Sequence, residues 1–140
     1  MPVIGMSFNT IKAEVKKQLP IKEKMEISSS PIIKNLEKKK IDVLGEDVIG
    51  IEFEFKTNYI PGVAQITLKG EILYQTKDAD KIVKEWKNKK KMPAEIAIPV
   101  HNIIFRRCLK RAIDLADDLQ LPPPIRFPIV KTKEESKYIE

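Results

Sequence analysis

The chain has 140 residues and a formal net charge of +6, and 42% of its residues are apolar while 33% are charged. This balance is typical of one globular domain and excludes a disordered chain. No run of 18 apolar residues is present, so we expect no membrane insertion. The N-terminus lacks the pattern of a secretory signal, and the single cysteine, Cys108, cannot form an internal disulfide. We therefore expect a cytoplasmic protein.

Alternating apolar residues predict two strands in the first part of the chain, over residues 11–15 and 21–27. Pro20 lies between these stretches and indicates a bend or a bulge. The Ser-Ser-Ser-Pro sequence at 28–31 is typical of a loop.

The clearest strand pattern follows in three alternating runs, at residues 41–43, 49–55 and 64–74. Residues 44–47 are turn-like, and residues 60–63 have proline and glycine where a type II turn needs them. Alternation of apolar and polar residues with tight connections predicts an antiparallel meander that has one solvated face.

Two helices are predicted after these strands. Asp78 can cap a helix that runs to about Lys90 and has only a narrow apolar stripe. Residues 94–98 are typical of a short apolar connection, and Pro99 suits the first turn of a second helix. Apolar residues then recur every three or four positions, which predicts a wide packing face, until the prolines at 122–124 end the helix.

The order of these elements predicts the α+β class. We expect an antiparallel four-stranded sheet that contains a meander, followed by two C-terminal helices packed on one face. Residues 1–130 should form a single domain, and residues 131–140 should form a polar C-terminal tail.

This order of elements resembles that of the SecB export chaperones. A short motif in the second helix is similar to the family's run of Pro-Asn, two aliphatics, Phe and Arg: Pro99, Asn102, Ile103, Ile104, Phe105 and Arg107. Residues 121–123 resemble the proline-containing segment after that helix. The chain departs from the family in being basic, and in having Arg106 where the family has proline.

The resemblance implies a SecB-like fold and self-association, as a dimer or tetramer, through the helical layer. It also implies that unfolded polypeptide clients bind in an apolar groove between the sheet and the main helix. The candidate client-binding residues are Phe53, Phe55, Tyr59, Tyr74, Trp86 and Phe105. Aliphatic residues beyond what one small core can cover support an interface of some kind.

Charge is distributed unevenly along the chain. Residues 81–111 contain ten basic and two acidic side chains, while the remainder has 16 basic and 18 acidic side chains. The basic patch comprises Lys87, Lys89, Lys90, Lys91, Arg106, Arg107, Lys110 and Arg111. A helical layer over residues 84–111 could bind phosphates, so a nucleic-acid- or ribosome-associated protein is an alternative. A solvated lysine-rich face and a structural subunit of a larger complex are two further alternatives.

Catalytic and metal-binding patterns are missing from the sequence. His101 and Cys108 are two helical turns apart, which is too far for a catalytic pair, and they are too few for a metal site. Glu52 and Glu54 alternate with core positions, which indicates a solvated sheet face. Glycine-rich phosphate loops and nucleophile elbows are absent. We therefore expect a non-enzymatic protein with no cofactor and no metal.

Overall fold

The structure, a computed structural model, describes residues 3–16, 25–40 and 47–125. Its elements are β1 (Val3–Val15), β2 (Glu26–Lys40), β3 (Asp47–Ile60), β4 (Ala64–Gln75), α1 (Ala79–Lys89) and α2 (Ala94–Asp118). The strands form one antiparallel sheet in the order β1-β4-β3-β2. The predicted α+β class, with a four-stranded sheet followed by two C-terminal helices, is therefore confirmed.

The core lies on one face of the sheet because β3 and β4 alternate between apolar and polar residues. Their core positions are paired across the strands, as Ile51 is with Ile72 and Phe55 is with Leu68. Burial of each large apolar side chain contributes about 1.5–3 kcal/mol. The buried core residues of these strands are Ile49, Ile51, Phe53, Phe55, Tyr59, Ala64, Ile66, Leu68, Ile72 and Tyr74.

The prediction of a loop at residues 28–31 is wrong, because these residues lie inside β2. Pairing with β3 keeps this segment extended despite its polar composition. The hydroxyl of Ser29 lies 2.8 Å from that of Thr57 and makes a hydrogen bond on the core face. Pro31 is tolerated because β2 is an edge strand. The predicted bend at Pro20 lies outside the described residues.

Both edge strands contain register shifts. The pairing of β1 with β4 shifts between Val3 and Gly5 and again between Phe8 and Thr10. The pairing of β2 with β3 shifts once, after Ile33. An extra residue in one strand changes which side chains face the core. For this reason Leu36 is buried on the same face as Ile33, although the two are three residues apart.

The connection between β3 and β4 is tight, as the proline and glycine at 61–62 predict. Gly62 has a φ of 55°, a value that favours glycine. The Val63 N–H donates to the Tyr59 carbonyl at 2.8 Å, so the turn is one residue longer than a type II turn. The predicted strand at residues 41–43, and all of the predicted turn at 44–47 except Asp47, lie outside the described residues.

Helix α1 agrees with its sequence pattern in extent and in its narrow buried stripe. Its buried residues are Ala79, Ile82, Val83 and Trp86. Asp78 precedes the helix, but its side chain makes no capping hydrogen bond. Its N–H instead donates to the hydroxyl of Thr76 at 3.2 Å. Lys90 ends the helix in the left-handed conformation.

Helix α2 begins at Ala94, so the prediction of a connection at residues 94–98 is wrong. Pro99 is the sixth residue of the helix, where it cannot donate a hydrogen bond to the carbonyl of Glu95. Burial of side chains at intervals of four residues offsets this loss: Ile96, Val100, Ile104, Cys108, Ala112 and Ala116. Among the described residues no helix is long and apolar enough to cross a membrane.

Candidate functional site

The aromatic residues predicted to bind clients lie together between the sheet and the helices, but most of them are core. Phe53, Phe55 and Tyr59 are fully buried, and Tyr74 and Trp86 are nearly so. Phe105, on α2, is 37% exposed. Its ring packs edge-on against Phe55, with centroids 5.8 Å apart. In this arrangement Phe105 is the member of the set that offers surface to a partner.

An uncovered apolar surface lies on β1, where sequence reasoning did not place a site. Ile11 is 46% exposed and Val15 is 38% exposed. Both are on the core face, because Ile11 pairs with the buried Leu68 and Val15 with the buried Ala64. The alternation in residues 11–15 predicts this face but not that it stays exposed.

A groove with a volume of about 530 Å³ lies between α2 and β1. Its α2 side contains four of the predicted basic residues: Arg106, Arg107, Lys110 and Arg111. Phe8 on β1 and Ile103 on α2 supply apolar lining, and Asp114 is the single acid. The described structure therefore gathers half of the basic patch into one site.

The other members of the basic patch lie elsewhere. Lys87 lines a separate depression against β2, at the opposite edge of the sheet from β1. The ammonium of Lys90 lies 5.5 Å from the centroid of the Trp86 ring, a cation–π contact. Lys89 and Lys91 are exposed. The predicted basic layer is thus not one continuous patch, since four members line the groove and Lys87 lies at the opposite edge of the sheet.

Comparisons with known proteins identify the fold. No protein-family model matches the chain, and no curated protein sequence does. Among solved structures, it is similar to the SecB-like chaperone Rv1957 of Mycobacterium tuberculosis, in complex with a ChAD peptide from the HigA1 antitoxin. The match has a TM-score of 0.51 and 12% sequence identity, and covers 93% of this chain and 90% of that one. The fold is SecB-like.

The outer face of this SecB-like sheet is covered by ion pairs. Lys39 lies 2.8 Å from Glu71, and Lys34 and Lys56 lie 3.3 and 3.0 Å from Glu54. Burial would raise the pKa of Glu54, but hydrogen bonds and charge from the two lysines outweigh it and lower that pKa. Glu54 and Glu71 therefore have structural partners on this face, whereas Glu52 is exposed and forms no ion pair among the described residues.

We expect Glu54 to make the protein less stable in acid. Its lowered pKa in the folded state means that its contribution is complete above the ordinary value of 4.5 and is lost as pH falls through the folded value. Glu54→Gln should lower the free energy of unfolding by about 1–2 kcal/mol at pH 7 and by much less near pH 3. Urea unfolding at both pH values measures this. An equal loss at both would contradict it. Glu52→Gln, at an exposed position, is the control at pH 7.

His101 and Cys108 have structural surroundings in this SecB-like fold. The Nδ1 of His101 lies 2.7 Å from the carbonyl of Ala97, one helical turn away. Burial raises the pKa of the Cys108 thiol to about 12, against a smaller lowering by the charge of Arg107. The thiol is therefore protonated at neutral pH and a poor nucleophile. Within the described ranges, no group of three or more His, Cys, Asp and Glu residues could hold a metal ion.

Proposed function

We propose that the chain is a non-enzymatic polypeptide-binding protein that holds unfolded segments, as a SecB-like chaperone would. The observation that carries this proposal is the uncovered apolar face of β1. Ile11 and Val15 continue the core face of the sheet and remain exposed. Exposed apolar surface of this kind marks interaction sites. The similar solved structure, a SecB-like chaperone with a bound peptide, supports the same function.

The proposed client surface has two separate parts, the uncovered face of β1 and the exposed part of Phe105, which packs on Phe55 of β3. An extended client segment could place alternate apolar side chains against Ile11 and Val15, since these residues share one face of an edge strand. Among the described residues β1 pairs with β4 alone, so its other edge could also form main-chain hydrogen bonds with the client. Buried aromatic residues such as Phe53 and Phe55 would then support the surface from below.

Self-association is a second part of the proposal. Ile98, near the start of α2, is 61% exposed. This exposed apolar side chain supports a dimer or tetramer that forms through the helical layer. Light scattering at low and high salt measures it, and a monomer in both conditions would contradict it.

The proposed function predicts that the protein delays the aggregation of a chemically unfolded client in a salt-tolerant manner. Ile11→Ser should weaken client binding about fivefold, because it removes exposed apolar surface worth about 1 kcal/mol. The matched control is Ile32→Ser, since Ile32 is 40% exposed but pairs with Glu54 on the outer face of the sheet. Failure of the unsubstituted protein to delay aggregation would overturn the function, and equal effects of the two substitutions would overturn the assigned surface.

A further inference from the structure

The groove between α2 and β1 concentrates positive charge. Four cationic side chains and one carboxylate line it, which gives a local net charge of +3 (four minus one). Arg106, Arg107, Lys110 and Arg111 occur at positions i, i+1, i+4 and i+5, so they share one flank of the helix. That flank faces β1 and not the core.

In the part of the chain that the structure describes, these cations differ from those on the sheet in having no acidic partner within 4 Å. Within residues 3–16, 25–40 and 47–125, all ion pairs closer than 4 Å use lysines of β2 or β3: Lys34, Lys38, Lys39 and Lys56. None of them involves the four cations of the groove. Their charge is thus available to a partner, and a concave site strengthens its effect on an incoming anion.

The groove also has an apolar component that packs against the core. The ring of Phe8 packs edge-on against the buried Phe53, with centroids 6.1 Å apart. Ile103 packs against the same core from α2. Ile11, three residues after Phe8, is exposed on the same face of the sheet. A ligand that enters the groove therefore meets the cations of α2 together with apolar side chains from both α2 and β1.

We propose that this groove gives the protein a preference for acidic polypeptide segments in which Asp or Glu alternates with apolar residues. This inference rests on the proposed polypeptide-binding function and names its substrate class. An extended segment of this kind presents carboxylates on one face and apolar side chains on the other. The carboxylates pair with the four cations of α2, and bidentate contacts with Arg106, Arg107 and Arg111 fix their orientation. The apolar side chains lie against Phe8, Ile103 and Ile11.

The separation of Lys87 from the four cations of the groove favours a polypeptide ligand over a nucleic-acid ligand. A nucleic-acid backbone is bound by a continuous track of cations along several phosphates. Lys87 lines a depression against β2, whereas the four cations of the groove lie beside β1, at the opposite edge of the sheet. The single aromatic ring in the groove, Phe8, packs edge-on against Phe53 within the protein. A compact site with an apolar floor fits alternating acidic and apolar side chains better than stacked bases.

Fluorescence anisotropy tests the preference directly. The probes are a labelled peptide that alternates glutamate with valine, the same peptide with lysine for glutamate, and a single-stranded oligonucleotide of equal charge. We expect the glutamate peptide to bind at least about tenfold more tightly than the lysine peptide at low salt, with the difference shrinking at high salt. A chemically unfolded client is assayed in parallel.

Substitutions locate the effect in the groove. Arg107→Gln combined with Arg111→Gln should weaken binding of the glutamate peptide about tenfold. Lys89→Gln combined with Lys91→Gln removes the same charge from exposed positions outside the groove, and should change binding less than about twofold. If the arginine variant unfolds, Arg106→Gln with Lys110→Gln tests the same surface at two exposed positions, without the half-buried Arg111.

The outcomes separate this inference from the proposed function. Equal binding of the two peptides, with aggregation of the unfolded client still delayed, overturns the acidic preference and leaves the function standing. Absence of binding to every peptide and to the client overturns both. Tighter binding of the oligonucleotide than of the glutamate peptide, lost in the arginine variant, overturns the inference in favour of a nucleic-acid ligand.

Discussion

Replacement of Gly70 by alanine is expected to lower the free energy of unfolding by about 3 kcal/mol. A Cβ atom on Gly70 would overlap the carbonyl oxygen of Ser7 and lie 2.9 Å from the Cζ of Phe53. The first contact is with backbone, so β1 would have to move away from β4. Equilibrium unfolding in urea measures the loss.

Gly5→Ala is the matched control for this prediction. A Cβ atom at Gly5 would meet the Leu73 side chain at 3.8 Å, an ordinary van der Waals distance. Its effect on the free energy of unfolding should stay within about 1 kcal/mol. Equal losses for the two variants would contradict the close approach of β1 to Gly70.

The second large effect is expected at Phe55, where an alanine should cost about 3–5 kcal/mol of stability. Phe55 is fully buried, and its ring supports Phe105 from the sheet. Phe105→Ala should cost only about 1–2 kcal/mol, because the side chain is partly exposed, but it should weaken client binding. Thermal or urea unfolding and the aggregation assay together distinguish the two roles.

Phe55→Leu keeps this comparison interpretable if the alanine variant does not fold. Leucine conserves most of the volume, so it should cost less than about 1.5 kcal/mol and leave client binding unchanged. If Phe55→Leu weakens client binding as much as Phe105→Ala without loss of stability, Phe55 itself contacts the client. That result would contradict its assignment to the core.

The sequence predicts well those elements whose structure follows from a single local pattern of apolar residues. Strands β3 and β4 show the alternating pattern over residues 49–56 and 64–72, because one face of the sheet packs against the helices and the other carries charged side chains. The apolar stripe of α1 and its end near Lys90 follow from helical spacing in the same way. These elements locate the core without any knowledge of the sheet order.

Strand β2 and the start of α2 are harder because tertiary pairing overrides local preference. A stretch of three serines and a proline suggests a loop, but Ser29 finds a hydrogen-bonding partner in Thr57 across the sheet. Similarly, Pro99 suggests a helix start, while burial of Ile96 extends α2 by five residues before it. The hydrogen bond of Ser29 and the burial of Ile96 both depend on residues that are distant in the chain, so the local sequence predicts neither of them.

The sequence predicts the α2 side of the candidate site but not its β1 side. Spacing from Arg106 to Arg111 shows that these cations share a flank of α2. That the opposite wall of the groove is Phe8 depends on β1 pairing with β4, which no local pattern shows. Exposure of Ile11 likewise depends on how far α2 extends over the sheet.

The register shifts in the edge strands have a consequence for solubility. A protein that leaves apolar surface exposed on an edge strand risks joining its neighbours edge to edge into long sheets. In β1 the shifts near Gly5 and Thr10 interrupt the straight run of free N–H and C=O groups. In β2 a similar shift is accompanied by Pro31 and by a series of lysines. Each edge can therefore pair with a short foreign strand but is a poor template for a fibril.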